Sequence, residues 1–335
     1  MNTQQIDHTT RPLTAEDIDQ VVDIDASING RHRPGFFKKR LEAALSDPRS
    51  FIYIGCELQG ELKGFLFARL LEREYGASEP VAVMDAIGVA PDCQGQKIGT
   101  AMLNELETIL RHKKVKEVQT QADWRNLGIL NYFYKAGFQL APRQVLEREV
   151  SYMATTDMPE QEPISSDNNQ EKDFSTPSGD EMGSLSLDAV ICRSLQPEDM
   201  PMLIRIDKKV TGQDHSAYYE RKVNEVLNES GIRVSLVGEL DGQVVGFIMA
   251  RVDYGEYDRT EPIAVLDTIG IHPDFSNKNV GSALLAQLLG NLATLRLDKI
   301  RTQVDADHFD VLSFLMKNGF YPSQELAFSY PMTDL

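Results

Sequence analysis

The sequence predicts an α/β fold, a mixed sheet flanked by helices, built twice along one chain. Three observations carry this. Sliding the 335-residue chain by 182 positions lays residues 11–138 on 193–320 without a gap, with 38 of 128 positions identical. A period that long marks a duplicated domain and not a solenoid. Each copy also shows two strand-like runs around a tight turn, and then a strand, a polar loop, a long helix and another strand. A hairpin followed by a strand–helix–strand crossover gives a sheet of mixed direction with helices on both faces.

The elements follow in order. LTAEDIDQVVDID and LQPEDMPMLIRID each begin with a capping-type residue and continue as an amphipathic helix. A polar loop and a second helix come next, INGRHRPGFFKKRLEAAL and VTGQDHSAYYERKVNEVL. The hairpins turn at Gln59-Gly60 and Asp241-Gly242; Asp-Gly is among the strongest short-range hairpin signals. PVAVMDAIGVAP and PIAVLDTIGIHP read as buried central strands. A long helix ends near Leu110 or Leu295, another strand follows, then a short helix ending Lys-x-Gly-Phe, and a last strand is expected to close each unit. The reading gives one domain over 1–154, a flexible acidic linker over 155–187 and a second domain over 188–335. The linker is rich in Ser, Pro, Asp, Glu and Asn and nearly lacks large apolar side chains. It cannot bury enough surface to offset its ordering entropy.

Composition narrows the function. A net charge of −17 argues against nucleic acid and anionic membrane as partners. No apolar run is long enough to span a bilayer, and MNTQQIDHTTRPL does not read as a secretory signal. Three cysteines make no disulfide framework and fit a reduced, cytoplasmic setting. They lack zinc-ligand spacing and the histidines are scattered, so no metal is expected.

PDCQGQKIGTAML and PDFSNKNVGSALL, at 91–103 and 273–285, are matched loops that open a helix after the central strand. Unpaired N–H groups and the helix dipole make such a junction an anion site. It is neither a Walker loop nor the dinucleotide fingerprint. The loop resembles that of the GCN5-related N-acetyltransferases, where Val-x-Pro runs into [Gln/Arg]-x-x-Gly-x-[Gly/Ala] around the pyrophosphate of acetyl-CoA. Here Val89-Ala90-Pro91 precedes Gln94 to Gly99, with Lys97 where that family usually has its first glycine. The family's second signature, Asn, a short helix and Gly-Phe, is matched by Asn126 and Gly137-Phe138. The second copy keeps only Gly281 of the loop signature and has His308 for Asn126. The resemblance covers both copies and implies tandem acyl-CoA N-acyltransferase-like domains, with the first copy keeping more of the cofactor site. It implies acetyl-CoA, or another acyl-CoA, held by Ile87 and Val89 of the central strand, by Gln94, Gly95, Gln96, Lys97, Ile98, Gly99 and Thr100, and by Asn126.

The resemblance also implies direct attack of an amine on the thioester. The amine must lose a proton. Base candidates are Asp85, in an otherwise apolar strand, and Glu79 just before it; Asp85 has a structural hydrogen-bonding role as its alternative. The family's tyrosine acid stands four residues before the Gly-Phe glycine, which here is Phe133. Tyr132 and Tyr134 flank it, each about 100° around the helix from Phe133, and Tyr134 is the candidate retained. Arg31, Arg33 and Phe36 are candidates to line an acceptor site. Two readings stand: an N-acetyltransferase acting on an amine of a small molecule or a protein lysine, and a non-catalytic tandem scaffold that binds acyl-CoA or a partner. The two copies are expected to pack on each other within the chain, and a homodimer is a further option.

Overall fold

The computed structural model describes residues 8–30, 32–46, 48–71, 80–150, 190–224, 233–253 and 263–332. Residues 155–187, read as the linker, lie outside this set. The first repeat runs β1 (His8–Pro12), α1 (Ile18–Asn29), α2 (Pro34–Ser46), β2 (Phe51–Leu58), β3 (Glu61–Leu71), β4 (Val81–Val89), α3 (Ile98–His112), β5 (Glu117–Asp123), α4 (Leu127–Ala136), β6 (Gln139–Leu140) and β7 (Arg143–Glu149). The second runs β8 (Ile191–Ser194), α5 (Met200–Thr211), α6 (Ser216–Asn224), β9 (Leu236–Leu240), β10 (Gln243–Asp253), β11 (Ile263–Ile271), α7 (Val280–Thr294), β12 (Lys299–Asp305), α8 (Phe309–Lys317), β13 (Tyr321–Pro322) and β14 (Glu325–Pro331).

The hairpin turns form as the dipeptides dictate. Gln59 and Gly60 have φ of 55° and 83°, and Asp241 and Gly242 have 51° and 74°. Two successive left-handed residues match the twist of the flanking strands. The start of each repeat is tied down in the same way. Arg11 Nη2 meets Asp17 Oδ1 at 2.7 Å and its Nε meets Glu57 Oε1 at 2.6 Å. Arg193 repeats the pattern with Asp199 and Glu239 at 2.7 and 2.8 Å. β1, which the sequence analysis did not anticipate, pairs antiparallel with β2 from His8↔Leu58 to Pro12↔Ile54.

The closing strands depart from expectation. The two seven-stranded sheets have the orders β1-β2-β3-β4-β5-β14-β6 and β13-β7-β12-β11-β10-β9-β8. Each repeat's last long strand therefore enters the sheet of the other repeat. β14 pairs with β5 from Glu325↔Asp123 to Pro331↔Glu117, and with β6 at Phe328↔Leu140. The physical reason is similarity: two related sheets offer each closing strand an equivalent slot. Phe328 and Met332 belong to the first repeat's hydrophobic core. The Phe328 ring packs on Phe133 with centroids 5.4 Å apart, and the Tyr330 hydroxyl donates to Glu107 on α3 at 2.5 Å. Tyr330 also covers Gly137, where a Cβ would stand 3.3 Å from its ring and φ is +94°.

Candidate functional site

The site is built where the central strands part. β4 and β5 are in parallel register only at Ala82↔Val118 and Val83↔Gln119, although β4 continues to Val89 and β5 to Asp123. Beyond that point Thr120 Oγ1 donates to the Met84 carbonyl at 2.9 Å. The β3–β4 register slips between Phe67↔Ala86 and Ala68↔Met84, leaving Asp85 as the extra residue of a bulge. A bulge bends its strand, and β4 diverges from β5 here. The outcome is an opening edged by the part of β4 that β5 does not pair, including Ile87 and Val89. The second repeat parts at the same place, with only Ala264↔Ile300 and Val265↔Arg301 in register.

The loop at the mouth of this opening has a defined backbone. Pro91–Cys93 make a short 3-10 turn, and Gly95 and Lys97 adopt φ of 80° and 65° before α3 begins at Ile98. Lys97 thus takes the left-handed conformation that a glycine would adopt most easily. Gln94 Nε2 donates to the Val89 carbonyl at 3.3 Å, and Gln96 Nε2 to that of Asp92 at 3.3 Å. These bonds hold the loop against the end of β4. The N–H groups of Ile98, Gly99 and Thr100 have no intrahelical partner by position. A Cβ on Gly95 would meet nothing within 4 Å, so the loop surface is open there. The second loop keeps the same backbone through different chemistry. Asn277 and Asn279, at the positions of Gly95 and Lys97, have φ of 64° and 57°; asparagine tolerates this region better than most residues. Loss of the signature residues has not reshaped that loop.

The remaining expected residues are spread more widely. Asn126 caps α4, its Oδ1 accepting from the Ile129 N–H at 3.2 Å. Asp85 is 1% exposed. Its carboxylate meets Arg69 Nε at 2.9 Å and Arg40 Nη2 at 3.4 Å. In the second repeat Asp267 faces Arg251 Nε at 3.4 Å and Lys222 Nζ at 3.8 Å. A carboxylate held between two cations in both repeats, buried in the first and partly buried in the second, has the geometry of a structural ion-pair cluster, which favours the structural alternative for Asp85. Those arginines lie 45 and 16 positions away in sequence, and no local pattern announced them. Arg33 and Phe36 are placed away from any open surface: both are buried, Arg33 Nε donates to Asp25 at 2.8 Å, and Phe36 packs edge-on against Phe37 at 5.0 Å. Tyr134 is 79% exposed. Arg31 and Glu79 lie outside the described residues. The position of the family's tyrosine, Phe133, is buried against Phe138 and Phe328.

The residue that sequence reasoning passed over is Tyr132. Its hydroxyl is closed off from solvent and has no hydrogen-bond partner among the described residues. It abuts the first turn of α3: a Cβ on Gly99 would lie 2.9 Å from the Tyr132 oxygen. Burial pushes its phenol well above the ordinary range, so it stays protonated. One cluster of metal-ligating types occurs among the described residues, Asp305, Asp307 and His308, with ligand atoms within 4.8 Å of one another; Asp305 is already paired with Arg143 Nε at 2.9 Å. Among the described residues no helix is long and apolar enough to cross a membrane.

Solved structures share this architecture at low identity. A tandem GNAT protein from the clavulanic acid biosynthesis pathway superposes with a TM-score of 0.63 at 12% identity, over 98% of this chain and 100% of that one. A GCN5-related N-acetyltransferase from Sphaerobacter thermophilus gives 0.59 at 13%, over 99% and 97%. A glucosamine N-acetyltransferase region of a fungal multi-domain GH3 beta-N-acetylglucosaminidase gives 0.64 at 13%; this chain is covered over 97% but spans only 38% of that one. At these identities the likeness establishes the fold. The model of the Acetyltransferase (GNAT) family matches residues 18–138 and again 200–320. With strand, parting, loop and helix recurring at one offset in both matched regions, the chain belongs to the GNAT acetyltransferase family and carries two copies of its domain.

Proposed function

We propose that the chain is an acyl-CoA-dependent N-acyltransferase, with acetyl-CoA as acyl donor and its active site in the first repeat. The observation that carries this is the opening between β4 and β5, ending at a loop with left-handed Gly95 and Lys97 whose surface is open at Gly95. The first-turn N–H groups of Ile98, Gly99 and Thr100 would hold the pyrophosphate. The free edge of β4 at Ile87 and Val89 would hold the extended arm as a missing strand would be held. Bound there, the co-substrate supplies an activated thioester. A backbone N–H of that edge faces the developing oxyanion. In this reading Asp85 positions α2 and β3 around the opening through Arg40 and Arg69. Proton removal from the amine falls to Glu79 or to solvent. The acceptor is an amine of a small molecule or a protein lysine, and the setting is cytoplasmic. The sequence repeats, 1–154 and 188–335, are the units of duplication, with 155–187 joining them.

A second reading, a non-catalytic acyl-CoA-binding scaffold, draws on Phe133, which cannot donate a proton to a leaving thiolate. Thiolate is a fair leaving group without such help, so the first reading stands ahead. The test is thiol release from acetyl-CoA by the full chain across a panel of small amines and lysine peptides. Amine-dependent release, reduced by Gln94→Ala with Gly95→Val, supports catalysis in the first repeat. Binding with no release on any amine turns the account to the scaffold.

A further inference from the structure

We propose that Gln324 is a positioning residue for the first repeat's acyl-CoA opening, clasping the end of β5 to β14 through Trp124; this rests on the acyl-CoA reading above. β5 has two neighbours, β4 on one side and β14 on the other. With β4 it is in register only at Ala82↔Val118 and Val83↔Gln119. With β14 it is in register over its whole length, from Pro331↔Glu117 to Glu325↔Asp123. Past Thr120, whose hydroxyl still reaches the Met84 carbonyl, β5 is guided by β14, on the side away from β4. The ladder continues one residue beyond the strand: the Trp124 N–H donates to the Gln324 carbonyl at 2.9 Å, and the Trp124 indole N–H donates to Gln324 Oε1. Asn126, the expected acyl-CoA residue at the start of α4, follows at once, its N–H donating to the Asp123 carbonyl at 2.9 Å. The clasp therefore fixes the β5 lip of the opening and the turn that carries Asn126. The fold does not require the side-chain pair. At the twin position the backbone bond recurs, from the Ala306 N–H to the Pro142 carbonyl at 2.9 Å, yet alanine and proline side chains offer neither donor nor acceptor. That repeat has Ser276, Asn277 and His308 in place of Gln94, Gly95 and Asn126. The chain's sole tryptophan is 52% exposed, and Gln324 is exposed as well, so the pair adds little to core packing. A surface bond present only at the lip of the better-kept opening serves the position of β5 and Asn126 more than the stability of the sheet.

The experiment titrates coenzyme A by calorimetry into the full chain and into Trp124→Phe, Gln324→Leu, the double variant and Gln324→Glu, and records the unliganded melting of each. Breaking the clasp from either side should weaken affinity by about three- to tenfold. The double variant should lose no more than either single change, since all three remove one bond. Gln324→Glu keeps an acceptor for the indole N–H and should bind within about threefold of the parent. Melting temperatures should stay within about 2 °C of the parent, because both side chains are exposed. Affinity within threefold in Gln324→Leu overturns the assignment. So does a loss confined to Trp124→Phe, which makes the indole a direct contact, or losses that add in the double variant. Failure of Gln324→Glu to restore affinity overturns it too, as does a larger fall in melting temperature, since the pair then serves the fold. Absence of coenzyme A binding by the unaltered chain overturns the acyl-CoA reading itself, and this assignment with it; the other adverse outcomes overturn this assignment alone.

Discussion

Replacing Phe328 by alanine should damage the first repeat's sheet, although residue 328 belongs to the second repeat. Phe328 is 8% exposed, sits in register with Thr120 and Leu140, and packs on Phe133 and the surrounding core. Truncating a phenylalanine in such a site removes its buried area and leaves a cavity, for a cost of about 3–5 kcal/mol. At about 2–4 °C per kcal/mol for a unit of this size, melting should fall by about 6–20 °C. The assay is calorimetric melting of the full chain, with amide hydrogen exchange to locate the weakened region. Protection should drop first in Glu117–Asp123 and in the β3–β4 ladder. If exchange quickened in β11 and β12 while Glu117–Asp123 kept its protection, the strand exchange would be refuted. The mirror substitution, Leu146→Ala on β7, whose partner across the ladder is Pro322, should act on the second sheet.

Further predictions concern charge and backbone. Asp85→Asn leaves the buried Arg69 and the partly buried Arg40 around a neutral amide and should cost about 3–5 kcal/mol, read from the urea midpoint; a midpoint within a few tenths of a molar of the parent would remove the clamp from the account. Hydrogen bonding from Arg11 lowers Asp17 to about 2, so its contribution is full above the unfolded value near 4 and is lost as pH falls toward 2. Acid unfolding should therefore steepen over that window, by about 1–2 kcal/mol in total, and Asp17→Asn should flatten the profile there. Lys97→Gly removes a side chain from a left-handed position and should raise stability by up to about 1 kcal/mol without weakening coenzyme A binding; lower stability would mean that the lysine stem packs favourably. Tyr134→Phe should leave turnover within twofold, since that side chain is exposed; a large loss would return Tyr134 to the chemistry.

Local chemistry fixed what was legible in advance. The turns at Gln59-Gly60 and Asp241-Gly242, the long helices after the loops, and the duplication follow from residues near in sequence or at one constant offset. Partner choice between equivalent elements was not legible. β7 and β14 carry patterns that suit either sheet, so periodicity could not tell which one each enters. The parting of β4 from β5 depends on a bulge at Asp85, which reads in sequence as an ordinary strand position. The clamp on Asp85 and the Arg33–Asp25 pair join residues brought together by folding, so an isolated charge in an apolar run suggested catalysis where the fold supplies counter-ions. Tyr132 was visible as one of two tyrosines around Phe133. Its contact with Gly99 required the packing of α4 on α3.

The exchange of β7 and β14 also determines how the central claim is tested. Each repeat's sheet includes a long strand of the other, so separated halves would each lack the strand next to β5 or β12, and the full chain is the right material. The measurement is calorimetric titration of acetyl-CoA into the full chain and into two loop variants, Gln94→Ala with Gly95→Val in the first repeat and Asn277→Val in the second. The account predicts saturable binding that the first variant abolishes or weakens at least tenfold and the second leaves within threefold. No binding by the unaltered chain, or binding lost only when Asn277 is changed, would contradict it.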